Sequence, residues 1–226
     1  VDIRFEQAGA RFEGRLAVEP LTIALTERRI GIIGLNGSGK TTFARMINGL
    51  VTPSTGRVTV NGVDTVDDPE TVRSQVGFIF QNPQNQIILP ILREDIALGL
   101  KSRRLPAAAV EAAVQGILGR FDIGHLAGRR AHELSGGELQ LAALASVLVT
   151  EPQIVILDEP TNQLDLKNRA LVEATLGGLD ESVIVISHDL ALIANFDRVL
   201  LFHEGRLLAD GLPSEVIARY REVAAA

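Results

Sequence analysis

Ile30-Gly31-Ile32-Ile33-Gly34-Leu35-Asn36-Gly37-Ser38-Gly39-Lys40-Thr41-Thr42-Phe43-Ala44-Arg45-Met46-Ile47-Asn48-Gly49-Leu50 is the stretch that decides the architecture. Ile30 to Ile33 is a short apolar run and reads as a buried strand. Gly34 to Thr41 then satisfies G-x-x-x-x-G-K-[ST] at every fixed position. Phe43, Met46, Ile47 and Leu50 follow with the spacing of an amphipathic helix. Strand, glycine-rich loop and helix in this order make an anion cradle. Glycines let backbone N–H groups turn inward around phosphate oxygens, and the helix start adds a favourable dipole. Gly34, Asn36, Gly37, Ser38, Gly39 and Thr42 are expected to line the cradle. Lys40 is expected to reach the β- and γ-phosphates of a nucleotide, and the Thr41 hydroxyl to take a position on Mg2+.

A second apolar run, Ile154-Val155-Ile156-Leu157, ends in Asp158-Glu159-Pro160. After a loop of this type, an aspartate in such a place holds Mg2+ and a neighbouring acid polarises the attacking water. Adjacent strand residues point to opposite faces. The two acids can therefore take separate roles only where the chain bends, and Pro160 suggests that it does.

Working outward, short apolar runs alternate with helical patterns, which reads as α/β. Strands are predicted at Leu21–Leu25, Ile30–Ile33, Arg57–Val60, Val76–Phe80, Ile154–Leu157, Val183–Ile186 and Val199–Phe202. Asn61-Gly62 after Arg57–Val60 signals a tight hairpin turn, so an antiparallel β subdomain is expected near the N-terminus. The later runs are apolar throughout, as in strands buried on both faces of a mainly parallel sheet. No strand signal falls between Arg93 and Val149. Pro106 suits a first-turn position there, and Val110, Val114, Ile117 and Leu118 recur with helical spacing. The expectation is a P-loop NTPase core formed by residues 1–80 and 151–226, with an α-helical insertion at about residues 90–150. Only Ala224-Ala225-Ala226 is expected to fray.

Composition narrows the function. The 226 residues carry 22 Lys and Arg against 28 Asp and Glu, a net charge of −6, which argues against nucleic acid as a partner and against a polybasic membrane anchor. Cysteine is absent, so disulfides, thiolate metal sites and thiol catalysis are excluded. No apolar run approaches the ~18–20 residues of a membrane-spanning helix, and Val1–Gln7 has no signal-peptide pattern, so a soluble chain is expected.

Leu134-Ser135-Gly136-Gly137-Glu138 precedes the helical run Leu139–Val149. It is a second glycine-rich helix start, and so a second potential anion site. Ser135 and Glu138 also spell S-x-x-E, a capping box that stabilises a helix without any ligand.

The order of these segments, phosphate loop, Gln81, LSGGE, ILDEP and then His188, resembles that of the ATP-binding-cassette (ABC) ATPases over nearly the whole chain. The resemblance implies one ABC ATPase domain over residues 1–226, with ATP and Mg2+ as cofactors. It makes Lys40, Glu159 and His188 catalytic, with Glu159 the carboxylate that activates water and His188 the γ-phosphate switch. Thr41, Asp158 and Gln81 become the Mg2+ positions. Ser135, Gly136 and Gly137 become the signature that meets a nucleotide held by a second copy, and Asp165 the aspartate of the loop after Glu159. Phe12 is the best-spaced aromatic for stacking on adenine, and Phe5 the runner-up. Two segments depart from the family pattern. Glu138 stands where Gln is usual and is expected to cap the helix rather than bind phosphate, and Asn162 and Gln163 stand where smaller residues are usual.

Phe80-Gln81-Asn82-Pro83-Gln84-Asn85-Gln86 and Glu94–Leu100 look like the ATPases of energy-coupling-factor (ECF) importers, most like the biotin type. That likeness implies an ATP-hydrolysing motor at the cytoplasmic face of the cell membrane. It also implies a transmembrane coupling protein and a substrate-binding membrane subunit as partners, and a second ATPase copy, with a homodimer favoured. Cobalt or nickel importers and soluble non-transport ABC ATPases are the alternatives.

Overall fold

The computed structural model describes residues 1–225. Ten strands and eight α-helices alternate along it. The first part holds β1 (Ile3–Phe12), β2 (Arg15–Leu25), β3 (Arg29–Ile33), α1 (Lys40–Ile47), β4 (Thr55–Val60), β5 (Val63–Asp64), α2 (Pro69–Gln75) and β6 (Val76–Ile79). Helices α3 (Leu92–Leu98), α4 (Ala107–Arg120) and α5 (Gly136–Leu148) come next, without an intervening strand. The chain ends with β7 (Ile154–Asp158), α6 (Leu166–Gly177), β8 (Ser182–Ile186), α7 (Leu190–Ile193), β9 (Arg198–His203), β10 (Arg206–Gly211) and α8 (Pro213–Ala225).

Two compact units share these elements. The first comprises residues 1–77, 153–159 and 181–226, and the second residues 78–152 and 160–180. Residues 160–180, expected with the core, thus group with the helical unit.

In the first unit, β2-β1-β4-β5 form an antiparallel sheet, while a six-stranded sheet runs β10-β9-β3-β8-β7-β6. Strand β3 lies between β8 and β9 and parallel to both, β7 is parallel to β8, and β10 returns antiparallel along β9. Asn61 and Gly62 turn the β4–β5 hairpin, both at positive φ (49° and 82°), the backbone a two-residue type I′ turn requires. Strands β3, β7 and β8 are buried almost throughout, which is why they read as unbroken apolar runs. Three rings tie the layers together. Phe43 of α1 stacks on Phe5 of β1 with centroids 4.4 Å apart, and meets Phe202 of β9 at 4.9 Å.

Three expectations need correction. Phe5 is enclosed in this aromatic stack and cannot offer a face to a ligand. Leu50 lies beyond the end of α1 and is exposed, because Gly49 at φ 69° has already turned the chain. Ala224 and Ala225 continue α8, and Ala226 lies outside the described residues.

In the second unit α5 is central. It packs against α3, α4 and α6, and ten of its thirteen residues are buried. Helix α4 buries Val114, Ile117 and Leu118 as their spacing predicts, and Pro106 stands at its N-cap. No helix among the described residues is long and apolar enough to cross a membrane.

Candidate functional site

Strands β3, β8 and β7 are adjacent and parallel, so their carboxyl ends open on the same edge of the sheet, where ligands of open α/β sheets bind. The loop of residues 34–39 follows β3, Glu159 follows β7, and Ser187 and His188 follow β8.

The loop closes on itself through the Ser38 N–H, which donates to the Leu35 carbonyl at 3.2 Å, before Gly39 starts α1. Gly39 has φ 99°, and a Cβ there would come within 2.4 Å of the Ala17 carbonyl oxygen; the close turn admits only glycine. Ser38 is 3% exposed and its hydroxyl has no hydrogen-bond partner, a polar atom in reserve within the loop. Lys40 is buried as well. Its Nζ donates to the carbonyls of Gly34 (2.8 Å) and Leu35 (2.9 Å), which arches the ammonium back over the loop. Burial pushes Lys40 below the ordinary lysine value, and the carboxylates of Glu159 and Asp158 oppose that shift. Asn36 and Gly37 are exposed at the loop's crest, and Thr42 is half-buried in the first turn of α1.

Thr41 Oγ1 donates to Asp158 Oδ2 at 3.0 Å, bringing a hydroxyl and a carboxylate side by side. Burial raises Asp158, against the Thr41 hydrogen bond and the positive charges of Arg45 and Lys40. Among the described residues no group of three or more His, Cys, Asp or Glu is arranged so that it could hold a metal ion by itself. A resident ion would have to share few protein oxygens with a ligand's own, the habit of Mg2+ at phosphate sites. Thr41 and Asp158 fit that role, and the spare Ser38 hydroxyl fits a phosphate.

Glu159 bends the chain itself. Its φ is 51°, in the left-handed region, and its N–H donates to the Ile186 carbonyl at 2.8 Å. The bend separates it from Asp158, as two distinct roles require, with the turn at Glu159 rather than at Pro160. Its Oε2 accepts the His188 backbone N–H at 3.2 Å, and its Oε1 lies 3.0 Å from His188 Nε2. Burial raises the Glu159 carboxyl, with the His188 charge acting the other way.

Phe12, at the end of β1 opposite Arg15, is 50% exposed, so its ring is available for stacking. The structure therefore brings Lys40, Thr41, Asp158, Glu159 and His188 together within the first unit. Gln81 and Ser135, Gly136 and Gly137 belong to the second.

There, Ser135 caps α5. Its Oγ accepts the Glu138 N–H at 3.3 Å and its own N–H donates to Glu138 Oε2 at 2.7 Å, a complete capping box. The Ser135 N–H and then its hydroxyl hold the Glu138 carboxyl below the usual range, helped by His125 and Arg129. Gly137 packs on α6, whose N-cap is Asp165. Gln81, Asn82, Gln84, Gln140, Asn162 and Gln163 surround a cavity of about 340 Å³ with carboxamides, and no ionisable side chain lines it. Gln140 is buried with its Nε2 unpaired. Sequence reasoning missed this residue, although a glutamine within the apolar run Leu139–Leu144 was a usable signal.

A phosphate loop, an acid-tipped buried strand and a capped signature helix on this topology define an ATP-binding cassette. The chain belongs to the ABC transporter ATPase family: the family model described as "ABC transporter" matches residues 21–162. It is 68% identical to the biotin transport ATP-binding protein BioM of Rhizobium etli over 225 residues, covering 100% of both chains. To the energy-coupling factor transporter ATP-binding protein EcfA1 of Halalkalibacterium halodurans it is 37% identical, covering 87% of this chain and 73% of that protein. The solved structure of CbiO1 from Clostridium perfringens, described as part of the ABC transporter complex CbiONQ, has a TM-score of 0.85 at 29% identity. That match covers 99% of this chain and 93% of CbiO1.

Proposed function

We propose that this ABC ATPase is the motor subunit of an ECF-type importer that takes up biotin, working as a homodimer beneath its membrane subunits. The 68% identity over both full lengths to a biotin transport ATP-binding protein carries the reading of the solute. The likeness to EcfA1 supports the importer class. The partners are a transmembrane coupling protein and a substrate-binding membrane subunit, which hold the ATPase at the cytoplasmic face of the membrane. Similarity to CbiO1, part of a CbiONQ complex, supports cobalt or nickel import as the second reading.

Bound ATP with Mg2+ supplies the phosphoryl group and a Lewis acid that spreads its charge. Thr41 and Asp158 would hold the Mg2+ within the first unit, and Gln81 of the second keeps the Mg2+ role that the family likeness implies. Lys40, Ser38 and the loop amides from Gly34 to Gly39 orient the phosphate tail, with Asn36 at the crest and Thr42 at the helix start. Phe12 offers a face to the base. Glu159 Oε1 is a buried acceptor beside His188 Nε2, so the pair can take a proton from water and orient the γ-phosphate. Ser135, Gly136 and Gly137 meet the nucleotide of a second copy, and Asp165 caps the helix on which Gly137 packs. Donors aimed from both copies are satisfied only while the γ-phosphate is present, so its loss removes the closed state's differential stabilisation.

Reconstituted with its membrane subunits, the complex should accumulate labelled biotin in an ATP-dependent manner and leave Co2+ and Ni2+ outside. Uptake of the metal ions in place of biotin would transfer the assignment to the second reading.

A further inference from the structure

Within the helical unit one acid is buried while its neighbour is not. Asp95 in the first turn of α3 is 5% exposed, whereas Glu94 faces solvent. Asp95 Oδ1 accepts the backbone N–H groups of Ile88 (2.7 Å) and Leu89 (2.9 Å). Its Oδ2 accepts the hydroxyl of Ser146, near the far end of α5, at 2.9 Å. The same stretch is pinned on its other side to the chain that leads into α5. Leu92 N–H donates to the Arg129 carbonyl at 3.1 Å, Arg93 N–H to Ala127 at 3.0 Å, and Ala131 N–H to Pro90 at 3.3 Å. Residues 88–95 are thus a splint bonded both to the approach to Ser135 and, through Asp95, to the opposite end of the helix that Ser135 caps.

Packing alone does not call for an acid here. Burying a carboxyl costs desolvation that an apolar residue between α3 and α5 would not incur. What the carboxyl adds is direction, since three short bonds from three donors fix where Ser146 stands. Helix α5 is one rod rising about 1.5 Å per residue, so a tilt at Ser146 is carried along its length to Ser135. A misplacement of about 1 Å in a reacting constellation can cost about a hundredfold in rate.

We propose that Asp95 is a positioning residue of the ATPase: by tying Ile88 and Leu89 to Ser146 it sets the direction of α5 and so the placement of Ser135, Gly136 and Gly137. The proposal rests on the reading of those three residues as nucleotide-contacting.

The test measures steady-state kcat and KM for ATP, and Mg-ADP affinity by calorimetry, on the full chain. Asp95→Ala lowers kcat at least tenfold while ADP affinity stays within twofold, because the Lys40 loop belongs to the other unit. Asp95→Asn restores kcat to within threefold, since its carboxamide oxygen still accepts both amides and its NH2 donates to Ser146 Oγ. Ser146→Ala removes one bond of the three and gives an intermediate loss at unchanged ADP affinity. If Asp95→Ala does not fold, Ser146→Ala and Asp95→Asn decide alone. The assignment is overturned if Asp95→Asn is as impaired as Asp95→Ala, if ADP affinity falls in step with kcat, or if neither Asp95→Ala nor Ser146→Ala lowers kcat by twofold. Absence of ATP hydrolysis by the unaltered chain would instead overturn the reading of the site on which the proposal stands.

Discussion

Glu159 holds His188 twice, through the backbone N–H on one carboxyl oxygen at 3.2 Å and beside the ring Nε2 on the other at 3.0 Å. One residue has left its strand at φ 51° and the other follows the strand next to it, so the pair is locked by the sheet itself. An acceptor and a donor poised together at this edge are what water activation next to a phosphate needs.

Glu159→Gln should lower turnover by at least a hundredfold while ATP binding persists, as single-turnover assays and equilibrium binding will show. The pH dependence follows from burial, which raises the Glu159 carboxyl. It must be unprotonated to accept a proton, so the acid limb of the wild-type rate lies at higher pH than for an ordinary glutamate. A stability effect accompanies it. The raised pKa means that ionisation destabilises the folded chain as pH rises through it. Ligand-free Glu159→Gln should therefore melt higher than wild type at neutral pH, and the two should converge in acid.

Phe43→Ala should cost about 3–5 kcal/mol, because the lost ring leaves a hole between Phe5 and Phe202 that two sheets and a helix cannot close. Urea unfolding with an unchanged m-value would measure it.

Gly137→Ala and Gly136→Ala should differ sharply. A Cβ at Gly137 would stand 2.2 Å from Asn168 Oδ1, displacing a side chain that donates to the α6 cap Asp165 at 3.0 Å. A Cβ at Gly136 meets only the Leu164 Cδ2 methyl, at 3.1 Å, which can rotate away. About 1–2 kcal/mol is expected for the first and within about 0.5 kcal/mol for the second, read as urea midpoints.

Glu138→Gln should leave stability at neutral pH nearly unchanged, because glutamine completes the same box, whereas Glu138→Ala should lose about 1 kcal/mol. The wild-type carboxyl is held below its ordinary value, so its contribution is complete at neutral pH and lost as pH falls through that lowered value. Glu138→Gln should accordingly lose less stability than wild type on acidification, as thermal melts across the acid range will report.

The loop from Gly34 to Thr41 and the strand ending at Asp158 were legible because local spacing carries their whole signal. The strands β3, β7 and β8 were legible for the same reason, being apolar on both faces. Strand β1 was not, since Gln7 at φ 49° and shifts of register around Ala8 and Ala10 break its alternation. Strand β10 was missed as an edge strand that buries only every other residue, and weakly. Asp95 stood only within the stretch Glu94–Leu100 and had no role of its own, because its partners Ile88, Leu89 and Ser146 are brought to it by tertiary folding. Spacing ranked Phe12 above Phe5 without excluding either, and the stack of Phe5 on Phe43 is what separates core from surface.

The position of β3 between β8 and β9 has a consequence for biosynthesis. This strand ends at Ile33, yet its neighbours begin only at Ser182 and Arg198, so it leaves the ribosome long before either. Until they emerge, a nearly all-apolar ribbon keeps two unpaired edges, a template for intermolecular pairing. Nascent chains stalled before residue 182 should therefore bind holdase chaperones, and release from them should coincide with translation of β8 and β9.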